Sequence, residues 1–162
     1  MTGVQTCALP ISAELPANPT PSLVKPADGL ITMQSYQIVL TMEDMGTGWI
    51  KANVSPPIMR DTLSSSQVAY SQGANFAPTV QNSAVVYRNL QSAVKAYAGA
   101  RPSGPSLSNP AVGDECFLND SVPIDRLLVF RKGNVVVWIW LKQYQSGDIV
   151  GYARTVEKKI GF

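Results

Sequence analysis

The sequence predicts an α+β domain, an antiparallel sheet of about five to seven strands with two amphipathic helices packed on one face. Three observations carry this. Residues 127–141 set two apolar, β-branched and aromatic runs on either side of a tight polar break, and Gly133 supplies the positive-φ residue that a short hairpin loop needs. Behind Asn89, the residues Leu90, Val94, Tyr97 and Ala98 recur at helical spacing. Behind Ser146, Gly147 and Asp148, a second stripe runs through Ile149, Tyr152, Ala153, Val156 and Ile160.

The hairpin organises the rest. In its second run Val135, Val137, Ile139 and Leu141 point one way, while Val136, Trp138 and Trp140 point the other. A strand apolar on both sides is central and covered on both faces.

Upstream of it, the elements follow in order. Residues 36–40 predict a short strand, and 41–46 a helical turn capped by Thr41 and stopped by Gly46. Residues 49–54 predict a strand closed by Ser55, Pro56 and Pro57; 61–66 read as polar loop, and 67–76 as a weakly alternating strand. Residues 83–87 make a further strand, which leads into the first amphipathic helix, with Gly99 closing it. The proline-rich stretch 100–110 predicts a long surface loop, and 112–118 another strand. After the hairpin, the strand continues to Tyr144 before the second helix, where Arg154, Lys158 and Lys159 lie off the apolar stripe and toward the helix C-terminus. The run 82–87 loosely parallels 134–138, since each leads into a helix, but an ordinary α+β order accounts for this without duplication.

With 162 residues the chain predicts one folded domain, 29–162, large enough to bury roughly 70% of its unfolded surface. Only 15% of residues are charged and the formal net charge is +2, too small to argue for a nucleic-acid partner. No stretch of 18 apolar residues is present to span a bilayer. Low charge together with 12 Gly and 12 Pro fits the polar, turn-rich style of many exported proteins.

The first residues need separate treatment. Residues 1–11, from Met1 to Ile11, resemble the translation of a common high-throughput sequencing adapter read from a GTG start, which implies a scar to be set aside from fold reasoning. The native gene would then have continued upstream of about Ser12, and any signal peptide, lipidation site or membrane anchor would have been lost with it, so the absence of a targeting signal is uninformative. Prolines 16, 19, 21 and 26 make 12–28 an extended linker, suited to holding a module away from a membrane anchor or a preceding domain. With Cys7 in the scar, Cys116 is the one remaining cysteine and no intrachain disulfide is expected.

The chemistry is bounded mainly by what is missing. The chain has no histidine, so Ser-His-Asp, Cys-His and His-metal sites cannot be built from it. Asp114, Glu115 and Cys116 are the densest reactive cluster, yet neighbouring carboxylates raise a thiol pKa, and a packed, inert Cys is the expected outcome. The same acids lack the spaced oxygen ligands of a calcium loop. Gly46-Thr47-Gly48 is a turn, with no Gly-Lys-Ser/Thr of a phosphate loop after it. No cofactor and no metal are expected.

The aromatic residues are the remaining candidates for binding. Trp138 and Trp140, joined by Trp49 and Tyr144, are expected on one sheet surface, either as core or as a groove for a glycan, a lipid or an apolar peptide. The region 112–160, with Val112 to Glu115, Phe130 to Val137 and the terminal amphipathic helix, resembles exported bacterial lipoprotein-like and sensor-like domains in the style of the extracellular domain of PknH-type kinases. Those sensor domains carry disulfides, which this chain cannot form without Cys7. The resemblance implies an extracytoplasmic, non-catalytic module behind a tether and assigns no binding residues. Sequence alone thus predicts a tethered extracytoplasmic ligand-binding or sensing module that is not an enzyme. The alternative is a structural or assembly module with the aromatic sheet face as a protein interface.

Overall fold

Alternation along 135–142 decides the layering, because successive side chains leave a strand on opposite faces. The computed structural model describes residues 29–72, 78–103, 107–144 and 146–161, so the expected scar and linker, 1–28, lie outside the described residues. Strands β1 (Trp49–Ala52), β2 (Thr62–Gln72), β3 (Thr79–Tyr87), β4 (Leu107–Ser108), β5 (Glu115–Asn119), β6 (Asp125–Lys132) and β7 (Val135–Lys142) form one antiparallel sheet. Their order is β1-β2-β3-β7-β6-β5-β4, which puts β7 at the centre. Lys132 pairs with Val135, so the hairpin turns on Gly133 and Asn134 alone. Gly133 has φ +57, as a type II′ turn requires at its first central position.

Among the described residues four helices accompany the sheet: α1 (Ser35–Ile38), α2 (Met42–Met45), α3 (Leu90–Ala100) and α4 (Ile149–Ile160). The α+β architecture agrees with the sequence; the expected packing of both long helices on one face does not. Val135, Val137, Ile139 and Leu141 join one buried cluster with Ile149, Ala153, Val156 and Ile160 of α4. Val136 and Trp138 join a second with Ala93 and Tyr97 of α3. The two long helices therefore sit on opposite faces of β7, and each face receives one.

The valine face has a second cover. Residues 29–41 cross it as a strap, and Ile31, Ile38, Val39 and Leu40 are all buried there. A strand was expected over 36–40, but 35–38 coil into the helical turn α1, and Ile38, Val39 and Leu40 all enter the one valine-face cluster, where a strand would send alternate residues to opposite faces. Ser35 donates its N–H to Ser64 Oγ at 3.0 Å, and Lys159 Nζ reaches from α4 to Val39 O at 3.0 Å. Asp44 of α2 accepts from Thr41 N at 2.6 Å and pairs with Lys159.

Two further departures have local causes. Residues 62–66, expected as loop because of their serines, belong to β2 and pair with β3 around a bulge at Thr62 and Ser64. On α3 the buried stripe is Ala93 and Tyr97, while Leu90 and Val94 stay 48% and 42% exposed. Small alanines let the helix approach the large side chains of Phe117, Val136 and Trp138, which turns the bulkier pair outward. Asn89 caps this helix by accepting from Ser92 N, and Asp148 caps α4 by accepting from Gly151 N, each at 2.8 Å.

Candidate functional site

The acidic run 114–115 is anchored before it can line anything. Gly113 turns the chain with φ +66, and a Cβ there would lie 2.5 Å from Arg131 O, so only glycine lets the loop close onto β6. Asp114 N then donates to Arg131 O at 2.8 Å, and Gly113 N to Glu157 Oε1 at 3.0 Å. Arg131 binds both acids, with Nη1 at 2.9 Å from Asp114 Oδ2 and Nε at 2.6 Å from Glu115 Oε2. Asp114 Oδ2 also accepts from Gly133 N at 2.8 Å, which ties the organising hairpin to this loop.

Between that loop and the C-terminal end of α3 lies an open cavity of ≈ 350 Å³, lined by Tyr97, Arg101 and residues 109–116. The Asp114 and Glu115 side chains remain 47% and 45% exposed, and the second oxygen of each has no protein partner among the described residues. Arg101 makes no ion pair among the described residues, and its guanidinium carbon stands 6.0 Å over the Phe117 ring. Tyr97 is buried at 5% exposure and packs on Phe117 at 5.6 Å between ring centroids. Its hydroxyl has no hydrogen-bond partner among the described residues. Burial, then the neighbouring Cys116 and Glu115, raise the Tyr97 pKa, while Arg101 and Arg131 act in the opposite sense. The phenol therefore stays protonated at neutral pH and remains a donor.

Cys116 borders the cavity from β5, while its free thiol is buried in the valine-face cluster beside α4. Burial first, and then the Glu157 carboxylate, push it up to about 12, so the thiolate is scarce at neutral pH. The sequence attributed such a shift to the adjacent acids; desolvation and an acid on α4 supply it instead. No group of three or more His, Cys, Asp and Glu residues is placed to hold a metal ion among the described residues.

The aromatic residues do not gather on one surface. Trp49 lies in the valine-face core at 7% exposure and meets the Tyr144 ring edge-on, with centroids 5.5 Å apart. Trp138 sits on the other face at 8% exposure, with Trp140 half-buried beside it. Register explains the split, since Trp49 pairs with Gln72 of β2, whose even-numbered residues share the face of Ile139. The cavity residues Tyr97 and Arg101 escaped the sequence reading because Tyr97 was counted as helix stripe; the dense 114–116 cluster was the one legible signal. Neither a family model nor a curated protein nor a solved structure matches the chain.

Proposed function

We propose that the chain is a non-catalytic ligand-binding or sensing module whose ligand occupies the cavity beside the C-terminal end of α3. The Tyr97 hydroxyl carries the reading: on an otherwise buried side chain it opens on the cavity with no protein acceptor among the described residues. A donor that faces the cavity without a protein acceptor is free to give its hydrogen bond to a ligand in exchange for water. The exported, membrane-tethered setting belongs to the same proposal and rests on composition and the proline-rich 12–28 stretch. A role without chemistry agrees with the absence of histidine from the chain and with a Cys116 thiol held protonated.

Thermal unfolding of the full chain against a panel of glycans, lipids and short peptides tests this. A ligand that raises Tm for the native chain and less so for Tyr97→Phe supports the reading. A panel without any stabilising compound removes its basis.

A structural or assembly role is the second reading, with one observation in its favour. Leu90 and Val94 stand exposed one helical turn apart on α3. Sedimentation over a range of concentrations tests it: a dimer lost in Leu90→Gln, with no ligand found, favours assembly.

A further inference from the structure

We infer that the cavity takes a neutral, polyhydroxylated ligand of the size of one sugar ring, a monosaccharide unit of a glycan; this rests on the ligand-binding reading above. Charge comes first. Two carboxylates, Asp114 and Glu115, line the cavity with one guanidinium, Arg101, and Arg131, outside the lining, is paired to both acids, so the four formal charges cancel. An anion approaching Arg101 meets the acids, and a cation approaching the acids meets Arg101; a neutral polar molecule meets neither penalty.

Hydrogen-bond chemistry then narrows the class. Asp114 and Glu115 each keep one carboxylate oxygen unpaired, and both are pure acceptors. Arg101 is a pure donor, and the protonated Tyr97 hydroxyl is a donor without a protein acceptor. A ligand that satisfies all of these must give and take hydrogen bonds from neighbouring atoms. Hydroxyl groups do both at once, and vicinal hydroxyls do so at adjacent positions. A lipid chain or an apolar peptide side chain would leave the same groups dry and unpaired.

Size agrees. Covalently bonded atoms pack more closely than separate waters, so ≈ 350 Å³ accommodates one hexose with room for bridging waters. Arg131, fixed by Asp114, Glu115 and Gly133 O, pre-organises the acidic wall, so binding does not have to order it.

The test is calorimetric titration of the full chain with methyl α-glucoside, methyl α-mannoside, methyl β-galactoside and N-acetylglucosamine, next to benzoate and benzylamine as charged probes of similar size. The expected result is binding of at least one saccharide, weakened roughly 2- to 12-fold in Tyr97→Phe, which removes one hydroxyl and keeps the ring. Arg101→Gln should weaken it by a similar factor, and Tyr36→Phe, at a remote exposed tyrosine, should leave it unchanged. Saccharide binding unaffected by both Tyr97→Phe and Arg101→Gln overturns the site. Binding of benzoate or benzylamine, sensitive to Tyr97→Phe, with all saccharides silent, overturns the sugar class and leaves the ligand-binding reading standing. Silence from every probe and from the wider panel overturns both.

Discussion

Asn134 and Asn82 hold opposite ends of the same strap. Asn134 Oδ1 accepts from Ile31 N at 2.6 Å, and Asn82 Oδ1 accepts from Leu40 N at 2.8 Å. Both side chains are 0% exposed, and both spend their amide donors on backbone carbonyls: Asn134 on Ile31 O and Tyr87 O, Asn82 on Trp138 O. Buried amides in such a position are stabilising only while every bond is made.

Asn134→Ala should therefore cost about 3 kcal/mol, because it strands the Ile31 amide and two carbonyls in the core. Asn134→Asp should fare no better, since an ionised carboxylate offers no donor to Ile31 O or Tyr87 O. Urea unfolding measures both. A loss under about 1 kcal/mol for the alanine variant would mean that the strap is not held here.

Two glycines should respond with opposite sign. At Gly113, φ +66 and a Cβ 2.5 Å from a backbone oxygen make Gly113→Ala destabilising by at least about 2 kcal/mol. Gly99 lies in α3 with open space around its Cβ position, so Gly99→Ala should stabilise by about 0.5–1 kcal/mol. Thermal melts of the pair settle the signs.

The orientation of α3 is checked by contrast. Leu90→Gln should change stability by no more than about 0.5 kcal/mol, whereas Ala93→Gln, at a residue with 0% exposure, should cost several times as much. The reverse ranking would restore the stripe expected from sequence.

Asp44 gives a pH signature. Burial raises its pKa, but hydrogen bonds from Lys159 and from Thr41 outweigh this and leave it below its ordinary 3.8. A carboxyl depressed in the folded state adds stability above its unfolded pKa, and that contribution is lost as pH falls through the folded value. Stability should thus decline below about pH 4, and Asp44→Asn should be less stable at pH 7 and show a shallower acid slope. An unchanged slope in acid-unfolding curves would dissociate the Lys159 pair from stability.

Native Cys116 should label slowly. With its thiol pushed up to about 12, on the order of one molecule in ten thousand carries the thiolate at pH 8. In a Cys7→Ser background, a disulfide reagent should react with the native chain far more slowly than with the urea-unfolded one. Equal rates would reopen a thiol chemistry.

The parts legible in the sequence were those set by local periodicity. Valine alternation in 135–141, the stripe of α4, the Asn89 cap and the helix start at 146–148 needed no knowledge of what packs against them. The parts that escaped depend on distant partners. Which face a helix takes is decided by β7 pairing with β3, and Asn82 looked like an ordinary polar strand residue until Leu40 arrived opposite it. The cavity escaped for the same reason: Tyr97 and Glu115 are 18 positions apart and meet only through the crossover from α3 to β5. The four aromatics failed as a group because register, which a single strand does not encode, put Trp49 and Trp138 on opposite faces.

The strap also fixes an order of events in folding. Its contacts bridge sequence separations of 103 and 120, to Asn134 and Lys159. In a chain synthesised from its N-terminus, residues 29–41 are followed soon by their partners on β2 and β3, Ser64 and Asn82, but emerge long before Asn134 and Lys159, and loop closure over the longer distances is slow. The ties of the strap to β7 and α4 are thus the slowest of its contacts to close. Until β7 and α4 are in place, Ile38, Val39 and Leu40 lack part of their cover, and in that interval a newly made chain is open to aggregation.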